Sequence, residues 1–154
     1  MKDKPTLDTT TPLPENQSPI DGSFPEQKPR KFDTLRELIL SLVPEAKRMK
    51  LYEEAFTHSS YSNEHRDSSS YERLEFLGDG VLDLVVGDLV FRAHKKYTPG
   101  KLSKLRSSIV EGRNLTEIAI KLGFAPYVKF SNGEKKNAQY HGHIFEDVFE
   151  SFIG

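Results

Sequence analysis

The stretch of sequence that decides the fold reads YERLEFLGDGVLD, residues 71–83. On an α-helix each residue advances by about 100°, so Asp79, Glu72 and Asp83 lie about 40°, 60° and 80° from Glu75. The four acids therefore form one stripe along a helix. Like charges at this spacing repel one another and weaken an isolated helix. The stripe accordingly needs a counter-charge, which either basic side chains or metal ions would supply.

Apolar residues flank this acidic stripe, and they indicate that the helix is largely buried. They are Leu74, Phe76, Leu77, Val81 and Leu82. We therefore do not expect a fully solvated acidic face at Glu75 and Asp79.

A second pair of acids, Asp147 and Glu150, lies within another apolar segment, residues 144–153. The spacing of three places both side chains on one helix face. Two carboxylate pairs on different helices would converge on a cation, and oxygen ligands alone favour Mg²⁺ or Mn²⁺ over zinc or copper. Because paired acids are common in proteins, their spacing alone leaves open whether they bind a metal or form ordinary ion pairs.

Composition and hydropathy limit the classes of protein to which this chain can belong. The chain has 154 residues, which is room for one domain of ordinary size. It contains no cysteine, so disulfides, thiolate nucleophiles and zinc sites that use sulfur are excluded. No run of about 18 apolar residues occurs, so we expect neither a transmembrane helix nor a membrane partner.

The first thirty residues differ from the rest of the chain. They hold six of the nine prolines and few large apolar side chains. Such a segment buries too little surface to offset its ordering entropy, so residues 1–30 are predicted to form a disordered tail, with a partner-binding arm as the alternative. From residue 31 onward the apolar spacing is helical, and no stretch shows strand alternation, so the predicted class is all-α. We expect a loop over 59–70.

Charge is segregated along the chain. Residues 52–90 carry nine acids and two bases, whereas residues 91–136 carry eleven bases and three acids. An acidic helix beside basic segments suits an enzyme that holds cations and binds a polyanion. Solvated helix faces of opposite sign explain the same pattern equally well.

Four segments, in chain order, resemble motifs of the ribonuclease III family. The segment ERLEFLGDGVL at 72–82 closely resembles the family signature, and AFTHSSY at 55–61 resembles the segment that precedes it. LSKLR at 102–106 is similar to a helix in the middle of the family domain, and EDVFESFIG at 146–154 is similar to its second acidic motif. The resemblance covers residues 32–154.

This resemblance implies an all-α endonuclease domain at residues 31–154 that depends on Mg²⁺, for which Mn²⁺ can substitute. The metal ligands that it implies are Glu75, Asp79, Asp147 and Glu150, with Asp79 and Glu150 assigned to catalysis.

Three further positions follow from the same resemblance. Glu72 matches an additional acid near the site, and Phe76 matches an aromatic residue that packs into the partner subunit of a homodimer. Members often have Asn immediately before the first Glu of the signature, where this chain has Tyr71.

The implied substrate is double-stranded RNA, cut to leave 5′-phosphate and 3′-hydroxyl ends. The implied role is processing of rRNA and mRNA precursors in the cytoplasm. Because A-form RNA hides its base edges in a deep groove, recognition is expected to depend on shape and phosphates. The candidates for phosphate contacts are Lys101, Lys104, Arg106 and Arg113, although any one of them can equally be an ordinary solvated side chain.

Family nuclease domains continue beyond the second acidic motif, and bacterial members usually add a domain that binds double-stranded RNA. We therefore expect a C-terminally incomplete nuclease domain without that second domain. We also expect apolar residues of the last helix to lose burial, namely Phe145, Phe149, Phe152 and Ile153. The alternative function is that of a non-catalytic RNA-binding or ribosome-associated protein on the same scaffold, which the retention of all four carboxylates disfavours.

Overall fold

The computed structural model describes residues 31–134 and 143–154. The expected tail at 1–30 lies outside the described residues. Within the described part, the chain forms helices α1 (Leu35–Leu42), α2 (Met49–Ala55), α3 (Ser59–Glu64), α4 (Glu72–Ala93), α5 (Pro99–Ile109), α6 (Gly112–Leu122) and α7 (His143–Ile153), with a 3₁₀ turn at Ala125–Tyr127. The only β-type pairing among these residues is an isolated parallel bridge between Thr57 and Lys129. The all-α prediction is confirmed.

Helix α4 is the central element, and it packs most extensively against α7 and next against α5. Helix α7 also packs against α6. Because the second acidic motif lies on α7 and the signature lies on α4, this packing brings the two acidic segments of the sequence together.

Aromatic side chains fill the core between these helices. Phe56 and Phe124 are completely buried and meet edge to face, with ring centroids 4.9 Å apart. Phe124 also contacts Phe149 and Phe152 of α7, at centroid distances of 6.5 and 5.1 Å. Burial of such rings supplies much of the driving force for folding.

The expected loss of burial on α7 is wrong for its two central phenylalanines. Phe145 and Phe149 are only 4% and 9% exposed, because they belong to one core cluster with Leu115 and Ala119 of α6, the helix that packs against α7. Phe152 is partly buried against the same core, and Ile153 is exposed. The apolar face of α7 is therefore largely covered by this chain itself.

The expected loop at 59–70 is wrong in its first half, because residues 59–64 form α3. His58 begins this helix: its Nδ1 atom accepts a hydrogen bond from the backbone N–H of Ser60 at 3.1 Å. A side-chain acceptor at this position satisfies an N–H group that the first helical turn leaves free. A polar composition alone therefore does not exclude a short helix.

The predicted burial of α4 is also wrong for much of its apolar surface. Phe76 is 84% exposed, and Leu77, Leu84 and Phe91 are exposed as well. These four side chains lie within an arc of about 100° around the helix, and we call them the α4 apolar stripe. Despite its length and these apolar residues, α4 is not apolar enough to cross a membrane, and neither is any other helix of the described residues.

Candidate metal centre

Helices α4 and α7 approach one another at a glycine. A Cβ atom on Gly78 would collide with the backbone carbonyl of Glu150, so the absence of a side chain permits this contact. Gly154, just beyond α7, packs equally closely against the carbonyl oxygen of Leu74. Its backbone N–H donates to the Glu150 carbonyl oxygen at 3.0 Å. The two helices are thus in main-chain contact beside the acidic residues.

Three carboxylates from these two helices form one cluster. Glu75 on α4 and both Asp147 and Glu150 on α7 each offer an oxygen atom, and these atoms all lie within 4.8 Å of one another. All three side chains are partly buried. A set of carboxylate oxygens, without sulfur or imidazole, is the donor set that hard cations such as Mg²⁺ and Mn²⁺ prefer. The cluster therefore fits a divalent metal ion.

The structure places the other two predicted acids at the margin of this cluster. Asp79 is exposed one turn beyond Glu75 on α4, whereas Glu75 is partly buried. Glu72 is exposed as well, and its Oε2 accepts a hydrogen bond from the Ser70 hydroxyl at 3.1 Å. Neither belongs to the group of oxygens within 4.8 Å.

Burial and mutual repulsion disfavour negative charge in the cluster. Partial burial, followed by the charge of Asp147, raises the pKa of Glu75 to about 7. Partial burial, followed by the charge of Asp79, raises the pKa of Glu150 to about 7. Burial likewise raises the pKa of Asp147 above its ordinary value. A bound cation would relieve this repulsion, which is what a metal site requires of its ligands.

Tyr71 is a site residue that the sequence analysis missed. Its hydroxyl donates a hydrogen bond to Oδ2 of Asp147 at 3.0 Å, and the side chain is almost fully buried. Burial, together with the neighbouring Asp147 charge, raises the pKa of the phenol, so the hydroxyl keeps its proton. No local signal in the sequence pointed to this contact, because the two residues lie 76 positions apart.

The four predicted phosphate-binding residues differ in their surroundings. Lys101 and Lys104 are exposed on α5. Arg106, on the same helix, instead lies beside Asp83 of α4, with Nε 3.5 Å from Oδ1. Arg113 on α6 forms an ion pair with Glu117 at 3.7 Å. The lysines are thus better placed than Arg106 to contact a polyanion.

Comparison with known proteins gives consistent matches. A family model described as Ribonuclease-III-like matches residues 48–154. The chain is 50% identical over 108 residues to Ribonuclease 3 of Lactobacillus acidophilus, covering 68% of this chain and 47% of the relative. It is 44% identical over 111 residues to Ribonuclease 3 of Listeria monocytogenes, covering 70% and 48% respectively. The chain thus spans about half the length of these curated relatives.

Solved structures give the same result. The nuclease domain of ribonuclease III from Campylobacter jejuni matches in two solved structures. In one the TM-score is 0.70 with 37% sequence identity, and the match covers 77% of this chain and 81% of the other. In the second the TM-score is 0.68 with 36% identity, over 78% and 80% of the two chains. The helical fold, the acidic cluster between α4 and α7 and these matches lead to one conclusion: the chain belongs to the ribonuclease-III-like family.

Proposed function

We propose that this chain is an endoribonuclease that cleaves double-stranded RNA with the help of divalent metal ions. The observation that carries the proposal is the convergence of Glu75, Asp147 and Glu150 within 4.8 Å, in a chain of the ribonuclease-III-like family. A protein that only binds RNA gains nothing from partly buried acids facing a phosphate backbone, since like charges repel. The cluster is explained if a cation lies between the protein and the phosphates.

The ion that we propose is Mg²⁺, with Mn²⁺ as a substitute. When bound, such an ion lowers the pKa of a water ligand and offsets charge on the phosphoryl oxygens and the leaving oxygen. Glu75, Asp147 and Glu150 hold and orient it, and Asp79 joins them from the exposed margin. Among these, Asp79 and Glu150 are the acids that we assign to catalysis, and Glu72 is an additional acid near the site. The proposed products carry 5′-phosphate and 3′-hydroxyl ends.

Exposed basic residues supply the proposed contacts with RNA. Lys101 and Lys104 present their ammonium groups to solvent on α5, the helix that packs beside α4. Positive side chains on that surface lower the repulsion between an RNA backbone and the acidic cluster. Arg113 is a further candidate, and the pairing of Arg106 with Asp83 favours a structural role for Arg106.

We further propose that the chain works as a homodimer through the α4 apolar stripe. Contiguous exposed apolar side chains on a protein surface mark an interaction site. Phe76, the most exposed of these residues, is the proposed contact with the partner subunit. The Campylobacter jejuni nuclease domain has a flexible region involved in dimer formation, which supports self-association of this chain.

The domain that we assign to this activity spans residues 31–154, and the proposed setting is the processing of rRNA and mRNA precursors in the cytoplasm. The relatives named Ribonuclease 3 are bacterial, which agrees with the cytoplasmic part of this proposal.

The test is incubation of a long RNA duplex with the chain and Mg²⁺, beside a Glu150→Gln variant. The parent should cut the duplex, EDTA should stop cleavage, and Glu150→Gln should reduce the rate by at least about 100-fold while it still binds RNA. Glu64→Gln, an exposed glutamate on α3, is the matched control and should cleave like the parent. A folded parent that binds the duplex in Mg²⁺ and leaves it intact would support the alternative, a non-catalytic RNA-binding or ribosome-associated protein.

A further inference from the structure

Tyr71 connects three separate parts of the chain at the edge of the acidic cluster. Its backbone N–H donates to the carbonyl oxygen of Thr57 at 2.9 Å, and its own carbonyl accepts from the N–H of Glu75 at 2.9 Å. Its hydroxyl reaches across to Asp147 on α7. The ring packs against His58, with centroids 5.7 Å apart, and the whole residue is 3% exposed. The phenol group is therefore held in one place.

We propose that Tyr71 is a positioning residue for the metal centre, because its hydroxyl holds the Asp147 carboxylate in the orientation that faces Glu75 and Glu150. This inference rests on the proposed function, since it assumes that the three carboxylates bind a cation.

A hydrogen bond to one oxygen of a carboxylate restricts the orientation of the other oxygen. An aspartate side chain rotates about two bonds, and it binds a cation most tightly when that freedom is lost before binding. The hydrogen bond from Tyr71 takes up Oδ2 of Asp147, which leaves the other oxygen available to a metal ion. Hydrogen-bond donors behind metal ligands act in this way, and their loss commonly weakens metal binding 10- to 100-fold.

Tyr71 also links helices α4 and α7. Because the Tyr71 carbonyl accepts the Glu75 amide hydrogen, Tyr71 fixes the first turn of α4 at the position of one ligand. Through its side chain it fixes a second ligand on α7. Tyr71 thereby bonds to both Glu75 and Asp147, which lie 72 positions apart in the chain.

The experiment is a titration with Mn²⁺ alone, followed through the electron paramagnetic resonance signal of the free ion. Tyr71→Phe keeps the ring beside His58 and removes only the hydroxyl. We expect this variant to bind Mn²⁺ at least about 10-fold more weakly than the parent. An affinity within twofold of the parent would overturn the inference. A folded parent that binds no Mn²⁺ would instead overturn the proposed function, and the role of Tyr71 with it.

Tyr127→Phe is the matched control. The Tyr127 hydroxyl donates to the carbonyl oxygen of Phe32, so this variant also loses a tyrosine hydrogen bond, but one in which no residue of the cluster takes part. It should lower the melting temperature to a similar extent and bind Mn²⁺ like the parent. Equal weakening of Mn²⁺ binding in both variants would identify a general loss of stability and would also overturn the inference.

A second measurement keeps the inference testable if Tyr71→Phe does not fold. Addition of Mg²⁺ to the unaltered chain changes the charge beside the Tyr71 hydroxyl and should therefore shift the near-ultraviolet absorption of one tyrosine. The shift should be absent from Asp147→Asn. An unchanged tyrosine spectrum at saturating Mg²⁺ would contradict a direct link between Tyr71 and the metal ligands.

Discussion

Gly78 on α4 lies directly against the carbonyl oxygen of Glu150 on α7, with no room for a side chain between them. This contact holds the two helices at the distance at which Glu75, Asp147 and Glu150 form one cluster. A larger residue at position 78 would therefore disturb both the packing and the candidate metal centre.

The first prediction concerns this contact. Gly78→Ala should destabilise the fold by about 2–3 kcal/mol, because the added methyl group forces α4 away from α7. Gly80→Ala is the control, since nothing lies within 4 Å of a Cβ atom there and alanine favours a helix by up to about 1 kcal/mol. Chemical denaturation of both variants measures the difference, and equal stabilities would contradict the close approach of the helices.

The acidic cluster makes stability depend on pH in the absence of metal. The pKa values of Glu75 and Glu150 rise from 4.5 to about 7 in the folded chain, so the folded state binds more protons than the unfolded state between these values. The protonated forms of these two glutamates stabilise the folded state. This contribution is complete below about pH 4.5 and is lost as the pH rises through about 7.

The second prediction follows from this pH dependence. In EDTA, the double variant Glu75→Gln/Glu150→Gln should melt at a higher temperature than the parent at pH 8 and at nearly the same temperature at pH 5. Glutamine remains neutral, so it avoids the repulsion that ionised glutamates experience at high pH. Thermal melts at several pH values measure the effect, with Glu64→Gln as control. A difference between double variant and parent that does not change with pH would contradict the raised pKa values.

The third prediction concerns divalent ions and stability. Mg²⁺ should raise the melting temperature of the parent more at pH 8 than at pH 5.5, because protons compete with the ion for Glu75 and Glu150. To control for general salt effects, the parent is also melted in Ca²⁺-free buffer and in NaCl at the same ionic strength. A rise of the same size in Glu150→Gln would show that the ion acts elsewhere.

The fourth prediction tests the α4 apolar stripe. Phe76→Ser should weaken self-association by at least about 10-fold, because an exposed phenylalanine buried at an interface contributes about 1.5–3 kcal/mol. Leu51→Ser, at an exposed leucine on α2, should leave association unchanged. Sedimentation equilibrium measures both. A parent that remains monomeric at high concentration would overturn the proposed homodimer.

The fifth prediction concerns RNA binding by α5. Lys104→Ala should weaken binding to duplexes of any sequence and reduce the slope of log affinity against log salt by about 1, as expected for one lost phosphate contact. Lys121→Ala on α6 is the control, since that lysine pairs with Glu117 at 3.4 Å. Filter binding at several salt concentrations tests the prediction, and an unchanged slope would remove Lys104 from the interface.

Periodicity correctly predicted the all-α class of this chain, and the spacing of the acids identified a stripe on α4 from which Glu75 contributes to the cluster. The stripe pattern did not separate Glu75, whose side chain faces α7, from Asp79, which faces solvent one turn later. Helical spacing tells which residues share a face but not how far the neighbouring helix extends over that face.

Two features lay beyond a reading of the sequence. The hydrogen bond between Tyr71 and Asp147 depends on the packing of segments far apart in the chain, which no local pattern encodes. The exposure of Leu77 and Leu84 is the second, because an apolar residue in the sequence indicates burial without showing whether its own chain or another one covers it. An apolar residue that a second subunit covers is of the same type as an apolar residue in the core of one chain.

The ligands of the candidate centre come from two helices that meet only after the chain has folded. An ion bound there would link α4 to α7. This ion would have to dissociate before α7 could unfold locally. We therefore expect proteases to degrade the protein faster when magnesium is scarce, so that its abundance follows the supply of the ion.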